Sequence, residues 1–180
     1  MENYNVVNKG IITLNDKVMV SDPCYGLNTW CQGVLENVLP GKYECKVGFA
    51  DEGEWGTRVA DIEVIHKDYL KEFLDYNDED FDVGVDSGTA GIFDYEYYKK
   101  YHKDRSERDH VNSDWYERTG DITFVTDIQC FDANTIDGLG FVSSSGYGDG
   151  CYTCWTARDD EGKIVAIRVE FIIEEDEEEL

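Results

Sequence analysis

CYTCWTARDDEGKIVAIRVEFII, residues 151–173, sets two runs rich in β-branched and aromatic residues on either side of Asp159-Asp160-Glu161-Gly162. A polar, glycine-ended tetrad between two such runs is a hairpin turn, so the stretch reads as two antiparallel strands. Just upstream, ITFVTDIQCF at 122–131 and LGFVSSSG at 139–146 have the same β-like character. KYECKVGFA at 42–50 and TRVADIEVIH at 57–66 should pair antiparallel across the turn Asp51–Glu54. Near the start of the chain Ile11, Ile12, Leu14, Val18 and Val20 alternate about Asn15-Asp16, which predicts a β-hairpin ending at Ser21-Asp22-Pro23.

Three segments have helical spacing. Trp30, Val34, Leu35 and Val38 predict a short helix over 28–38, stopped by Pro40-Gly41. Tyr69, Leu70, Phe73 and Leu74 make 66–74 an amphipathic helix laid as a lid on the sheet. Asp94 is placed to cap a tyrosine-rich helix, YEYYKKYHK, running to about 103. The expected class is mainly β (α+β): an antiparallel β-sandwich or curled barrel with two or three short helices. With no repeat and no linker, residues 1–173 are expected to form a single β-rich domain, and 174–180 a frayed, disordered acidic tail.

Forty acidic against 16 basic residues give 180 residues a formal net charge of -24. Such a field repels nucleic acid and anionic membrane and attracts basic protein surfaces, though it also serves plain solubility. No apolar run of spanning length and no secretory leader is seen, so a cytoplasmic location in a bacterial host cell is expected. In that compartment the six cysteines read mostly as small core residues rather than as disulfides.

Motifs for chemistry are weak. Cys151-Tyr152-Thr153-Cys154 lacks the second pair that zinc needs, and on an extended strand its two thiols point to opposite faces. Asp132-Ala133-Asn134 starts like a calcium loop but fails at Ile136, Asp137 and Ser143, which leaves a polar turn. GxxxxGK[ST], G-x-S-x-G and HExxH do not occur. No catalytic residue, metal site or cofactor is assigned. The best pocket candidates are two glycine-rich segments, DSGTAGIFD at 86–94 and SSSGYGDG at 143–150, with Asp86, Asp94 and Asp149 as acceptors or weak metal ligands.

SDPCY at 21–25, PGKY at 40–43, WGTRVA at 55–60, DSGTAGIFD at 86–94, SGYGDGCY at 145–152 and DDEGKIVAI at 159–167 follow one another in an order that resembles an uncharacterised bacterial and phage domain family of unknown function. The resemblance implies a compact β-rich domain with no known activity. Outside its pattern lie the acidic tail Glu174–Glu179 and a basic stretch containing Lys99, Lys100, Lys103, Arg105 and Arg108.

The charge makes the first expectation a non-enzymatic acidic protein that inhibits or sequesters a basic partner, such as a nucleic-acid-handling nuclease, in the manner of phage anti-CRISPR or anti-restriction inhibitors. Its acidic surface would comprise Asp75, Asp78, Glu79, Asp80 and Asp82 together with the tail. Two alternatives stay open. The glycine-rich loops could hold a small molecule or nucleotide, with Lys99, Lys100, Lys103 and Arg105 meeting a phosphate. Asp86, Asp94 and Asp149 could instead gather a divalent ion for hydrolysis, provided that they converge in space.

Overall fold

The computed structural model describes residues 4–104, 113–125 and 130–173. Arg105, Arg108 and the tail 174–180 lie outside these residues. In chain order the elements are β1 (Tyr4–Leu14), β2 (Lys17–Ser21), β3 (Gly33–Glu36), β4 (Gly41–Asp51), β5 (Thr57–His66), β6 (Tyr76–Val85) and β7 (Thr89–Asp94). There follow α1 (Tyr95–Tyr101), α2 (Ser113–Thr123), β8 (Phe124–Val125), β9 (Cys130–Phe131), β10 (Ala133–Ile136), β11 (Gly140–Ser144), β12 (Gly150–Arg158) and β13 (Ile164–Glu170).

The two main sheets are antiparallel. One runs β1-β4-β5-β13-β12-β6, the other β10-β11-β7-β2-β3, while β8 and β9 form a small ribbon. Apolar residues of alternating strand positions, among them Ile12, Val20, Val47, Ile62, Val64, Ile92, Phe141 and Ile167, meet between the sheets as the main core. A second core lies on the far side of the smaller sheet, where Met19, Phe93 and Val142 pack against Tyr97 and Tyr98 of α1 and Trp115 of α2. The result is a sandwich with helices on one outer face, as the β-rich α+β expectation requires.

The β12–β13 and β4–β5 pairs form as read from the sequence. The expected hairpin over 11–20 does not. β1 pairs with β4, whereas β2 pairs with β3 and β7, so Asn15-Asp16 carries the chain from one sheet to the other. Asp94 holds this corner: its Oδ2 accepts the Asn15 N–H (3.0 Å) and side-chain amide (2.9 Å).

The helix expected over 28–38 is instead the edge strand β3, in which Gly33 and Leu35 are buried and Val34 and Glu36 exposed. Asn28 and Asn37 take positive φ (61° and 63°), which breaks helical geometry at both ends. At 66–74 only a 3-10 turn, Lys67–Tyr69, forms. Tyr69, Leu70 and Leu74 nonetheless cover Ile65, Ala157 and Ala166 on the outer sheet face, while Phe73 is 94% exposed. The run 75–82, which holds the expected acidic surface, is largely strand β6 at a sheet edge. Within 122–131 the chain ends α2 and enters the β8–β9 ribbon, in place of one long strand.

Asp94 caps α1 as expected, its Oδ1 accepting the Tyr97 N–H (3.1 Å). Because the same carboxylate also fixes Asn15, Asp94→Ala is expected to lower the unfolding free energy by about 2 kcal/mol, the upper end for a lost N-cap. Urea denaturation measures it, and a loss below about 0.5 kcal/mol would remove the cap from the account.

Candidate functional site

Ser21-Asp22-Pro23-Cys24-Tyr25 leaves β2 as a turn whose backbone carbonyls face the helices. The Tyr98 hydroxyl donates to Tyr25 O (2.6 Å), and the Trp115 indole N–H donates to Pro23 O (2.9 Å). His102 Nε2 lies 2.8 Å from the same Pro23 oxygen, and its ring stacks on Tyr98 at 3.8 Å.

Inside the turn the Asp22 carboxylate is wholly buried. Its Oδ1 accepts from the Cys24 N–H (2.8 Å) and the Ser87 hydroxyl (2.7 Å). Its Oδ2 accepts from the N–H groups of Asp86 and Ser87, both at 2.8 Å. A buried carboxylate satisfied by four donors is a strong local anchor. It ties the turn to the first glycine-rich loop.

That loop, 86–88, carries the chain from β6 in the larger sheet to β7 in the smaller one. The second, 145–149, crosses in the opposite direction from β11 to β12. They run side by side, with the Ser145 N–H donating to Gly88 O (3.0 Å). Such abrupt crossings need left-handed backbone, supplied by Gly88 (φ 70°), Gly146 (φ 57°) and Gly148 (φ 111°).

The paired loops form a ridge between two depressions. On one side a cleft of about 600 Å³ is lined by Tyr25, Trp30, Cys31, Asp86, Asp149 and Cys151, among others. Trp30 is 77% exposed at this cleft. On the other side a depression of about 250 Å³ is lined by Arg58, Ser87, Gly88, Ser144 and the loop 145–148, with Phe124 and Phe131.

The cleft joins an acidic edge. Asp78, Asp80 and Asp82 are exposed on β6, and Asp75 precedes them. Glu79 is engaged by Arg158 (2.7 Å) and the Thr156 hydroxyl. β6 is hydrogen-bonded along one side to β12. Among the described residues its other side is met by a backbone bond at Gly84, whose N–H donates to Cys31 O (2.9 Å).

The structure therefore brings Asp86 and Asp149 together and leaves Asp94 out. Asp94 ends β7 five residues beyond Thr89, about 17 Å along an extended strand from the loop end. The three do not gather one ion, and among the described residues no group of three or more Cys, His, Asp or Glu side chains could hold one. Lys99, Lys100 and Lys103 are exposed at and just after the end of α1 and line neither depression. Lys99 faces Glu96 at 3.6 Å.

Burial and then the neighbouring Asp22 carboxylate push the Cys24 thiol well above its ordinary value, which keeps it protonated, opposite to what a nucleophile needs. Cys151 is exposed and Cys154 buried, on opposite faces of β12. In place of a calcium loop stands the β10–β11 hairpin. Its Asp137 carboxyl is held below the usual range by the Tyr97 hydroxyl (2.6 Å) and by Arg118 (2.9 Å).

Asp22, Arg58 and Ser144 were not singled out from sequence as site residues. An aspartate before Pro23 is a turn signal. An arginine alternating with apolar residues in TRVADIEVIH carries none, while Ser144 lies within SSSGYGDG, already a pocket candidate by its sequence.

No curated protein and no solved structure matches the chain. A family model described as "Protein of unknown function (DUF4241)" matches residues 14–169, a span that includes the Asp22 turn, both glycine loops and the acidic edge strand. The chain belongs to this DUF4241 family.

Proposed function

We propose that the chain is a non-enzymatic binding domain that takes a basic, extended segment of a partner protein along β6 and into the adjoining cleft. The observation that carries this reading is one continuous surface: exposed Asp78, Asp80 and Asp82 on an edge strand leading toward the cleft of Asp86 and Asp149, with Trp30 exposed beside it. An added strand gains backbone hydrogen bonds from a sheet edge and side-chain selectivity from the flanking pockets. Carboxylates on that edge repel a second copy and attract lysine and arginine. The aromatic faces of Trp30 and Tyr25 suit a cationic head group held by the two aspartates. A net charge of -24 would speed the encounter. Nucleic-acid-handling proteins expose such basic segments, and occupying one would sequester or inhibit its owner.

The test is titration of a labelled lysine- and arginine-rich peptide against the full chain. Micromolar binding at low salt should weaken at least about tenfold at high salt. The triple change Asp78→Lys, Asp80→Lys, Asp82→Lys should abolish it, and Trp30→Ala should weaken it about tenfold, the worth of a partly desolvated cation–π contact. Binding that is indifferent to the triple change would remove β6 as the docking edge.

A further inference from the structure

Arg58 lies beyond the glycine ridge from that cleft, half-buried on β5. Its Nε donates to Trp55 O (3.1 Å), and its guanidinium stands over the rings of Phe131 (4.9 Å) and Tyr147 (5.4 Å). Among the described residues Arg118, Arg158 and Arg168 each form an ion pair with a carboxylate, and Arg58 does not. The neighbouring Glu52 carboxylate is engaged by the Tyr147 hydroxyl instead. In a chain of 40 acidic residues, an arginine held against two rings with its Nη edge unpaired among the described residues is a charge held ready for a ligand.

Ser144 is a second, independent sign. It lines the same depression, is 4% exposed, and among the described residues its Oγ has no hydrogen-bond partner. Buried hydroxyls are ordinarily paired, so an orphaned one at a cavity wall marks a missing partner, and beside an arginine that partner is an anion's oxygen. The neighbouring hydroxyls are already engaged: Ser87 with Asp22 and Thr89, and Ser145 with Gly148 O. A Cβ at Gly88 or Gly148 would stand in open space, so these glycines serve backbone conformation and leave bare main chain on the cavity wall.

We infer that this depression binds a small oxyanion, a phosphate or carboxylate group, gripped by the Arg58 fork and the Ser144 hydroxyl. The guanidinium only donates and the Ser144 hydroxyl has a proton to donate, as recognition of an anion requires. The volume of about 250 Å³ fits a small acid and falls short of the range usual for drug-sized ligands. The negative charge of the chain, including Glu52 bonded to Tyr147 and Asp22 bonded to Ser87, opposes an anion, so affinity depends on the two donors.

The full chain is titrated calorimetrically with inorganic phosphate and with succinate at constant ionic strength, and each mixture is melted. The expected result is saturable binding of at least one of them with a raised melting temperature. The phosphate and succinate arms identify which oxyanion is taken. Arg58→Gln should weaken binding at least about tenfold and Arg58→Lys nearly as much, since an ammonium cannot supply the planar fork. Ser144→Ala should weaken it about fivefold while the unliganded melting temperature stays level or rises, because an unsatisfied buried hydroxyl is removed. Absence of binding by both anions at about 20 mM, or affinity unchanged in both Arg58→Gln and Ser144→Ala, overturns the site. The Asp78, Asp80, Asp82 triple change should leave anion binding intact, which separates this site from the acidic edge.

Discussion

Asp22→Ala lowers the unfolding free energy by about 3–5 kcal/mol, the range seen when a buried charge network loses its central member. The size follows from counting donors. Alanine strands three backbone N–H groups, of Cys24, Asp86 and Ser87, and leaves the Ser87 hydroxyl with Thr89 alone. Hydrogen bonds to a charged group contribute about 1.5–3 kcal/mol each, so full loss of four would exceed the stability of many domains. Cys24 and Ser87 are half-buried, however, and water reaching them recovers part of it. Asp22→Asn should lie between, near 2–3 kcal/mol, because either orientation of the amide turns an NH₂ group toward two donors. Urea unfolding ranks the three proteins, and amide exchange at Asp86 and Ser87 reports whether the loop is released. An asparagine variant as stable as the parent would show that the carboxylate is not the anchor. The loop lies between both depressions, so peptide and oxyanion binding should fall together in Asp22→Ala, unlike in any variant confined to one side.

The sequence announces some of this architecture and hides the rest for physical reasons. The β12–β13 hairpin is legible because strand periodicity and turn chemistry agree at Asp159–Gly162, whose N–H donates back to Asp159 O (2.9 Å). Asp94 is legible as a cap because capping is local. Alternation of Ile12, Leu14, Val18 and Val20 records that one side is buried, but a hairpin and a crossing between two sheets bury the same side. Trp30, Val34 and Val38 happen to fall at helical spacing, yet Trp30 is exposed and Val38 wholly buried. The helix α2 is concealed because its buried face includes Thr119 and Thr123 beside Trp115, so no apolar stripe appears. Those threonines satisfy their hydroxyls on the helix's own carbonyls, Trp115 O and Gly120 O, both at 3.0 Å. The acidic strand β6 is disguised by composition, since aspartate is disfavoured in strands and tolerated at a sheet edge. The glycine loops were visible as candidates. Their shared anchor was not, because a wholly buried aspartate is the exception to the rule that charges face water.

Trp115→Ala should cost about 3–5 kcal/mol, as large aromatic truncations in a filled core do. Trp115 is fully buried, with ring centroids of Tyr101 at 4.7 Å, His102 at 5.4 Å, and Phe93 and Tyr97 at 5.5 Å. Removing the indole empties the middle of the helix-covered core and takes one donor from Pro23 O. Phe73→Ala, at a side chain 94% exposed, is the matched control and should stay within about 0.5 kcal/mol. The more telling expectation concerns function. Trp115 lines neither depression. It acts on the turn at Pro23 next to Asp22, and Asp22 in turn positions Asp86 and Ser87. Trp115→Phe keeps most of the packing but loses the indole N–H. It should therefore lose only about 1–2 kcal/mol of stability while still weakening ligand binding across the ridge. Equal affinity in the parent and Trp115→Phe would confine Trp115 to packing. Weakened affinity with the fold intact would make the helix layer the support that holds the two glycine loops in their binding geometry, and would explain why a sheet sandwich with a filled core carries a second aromatic core on its outer face.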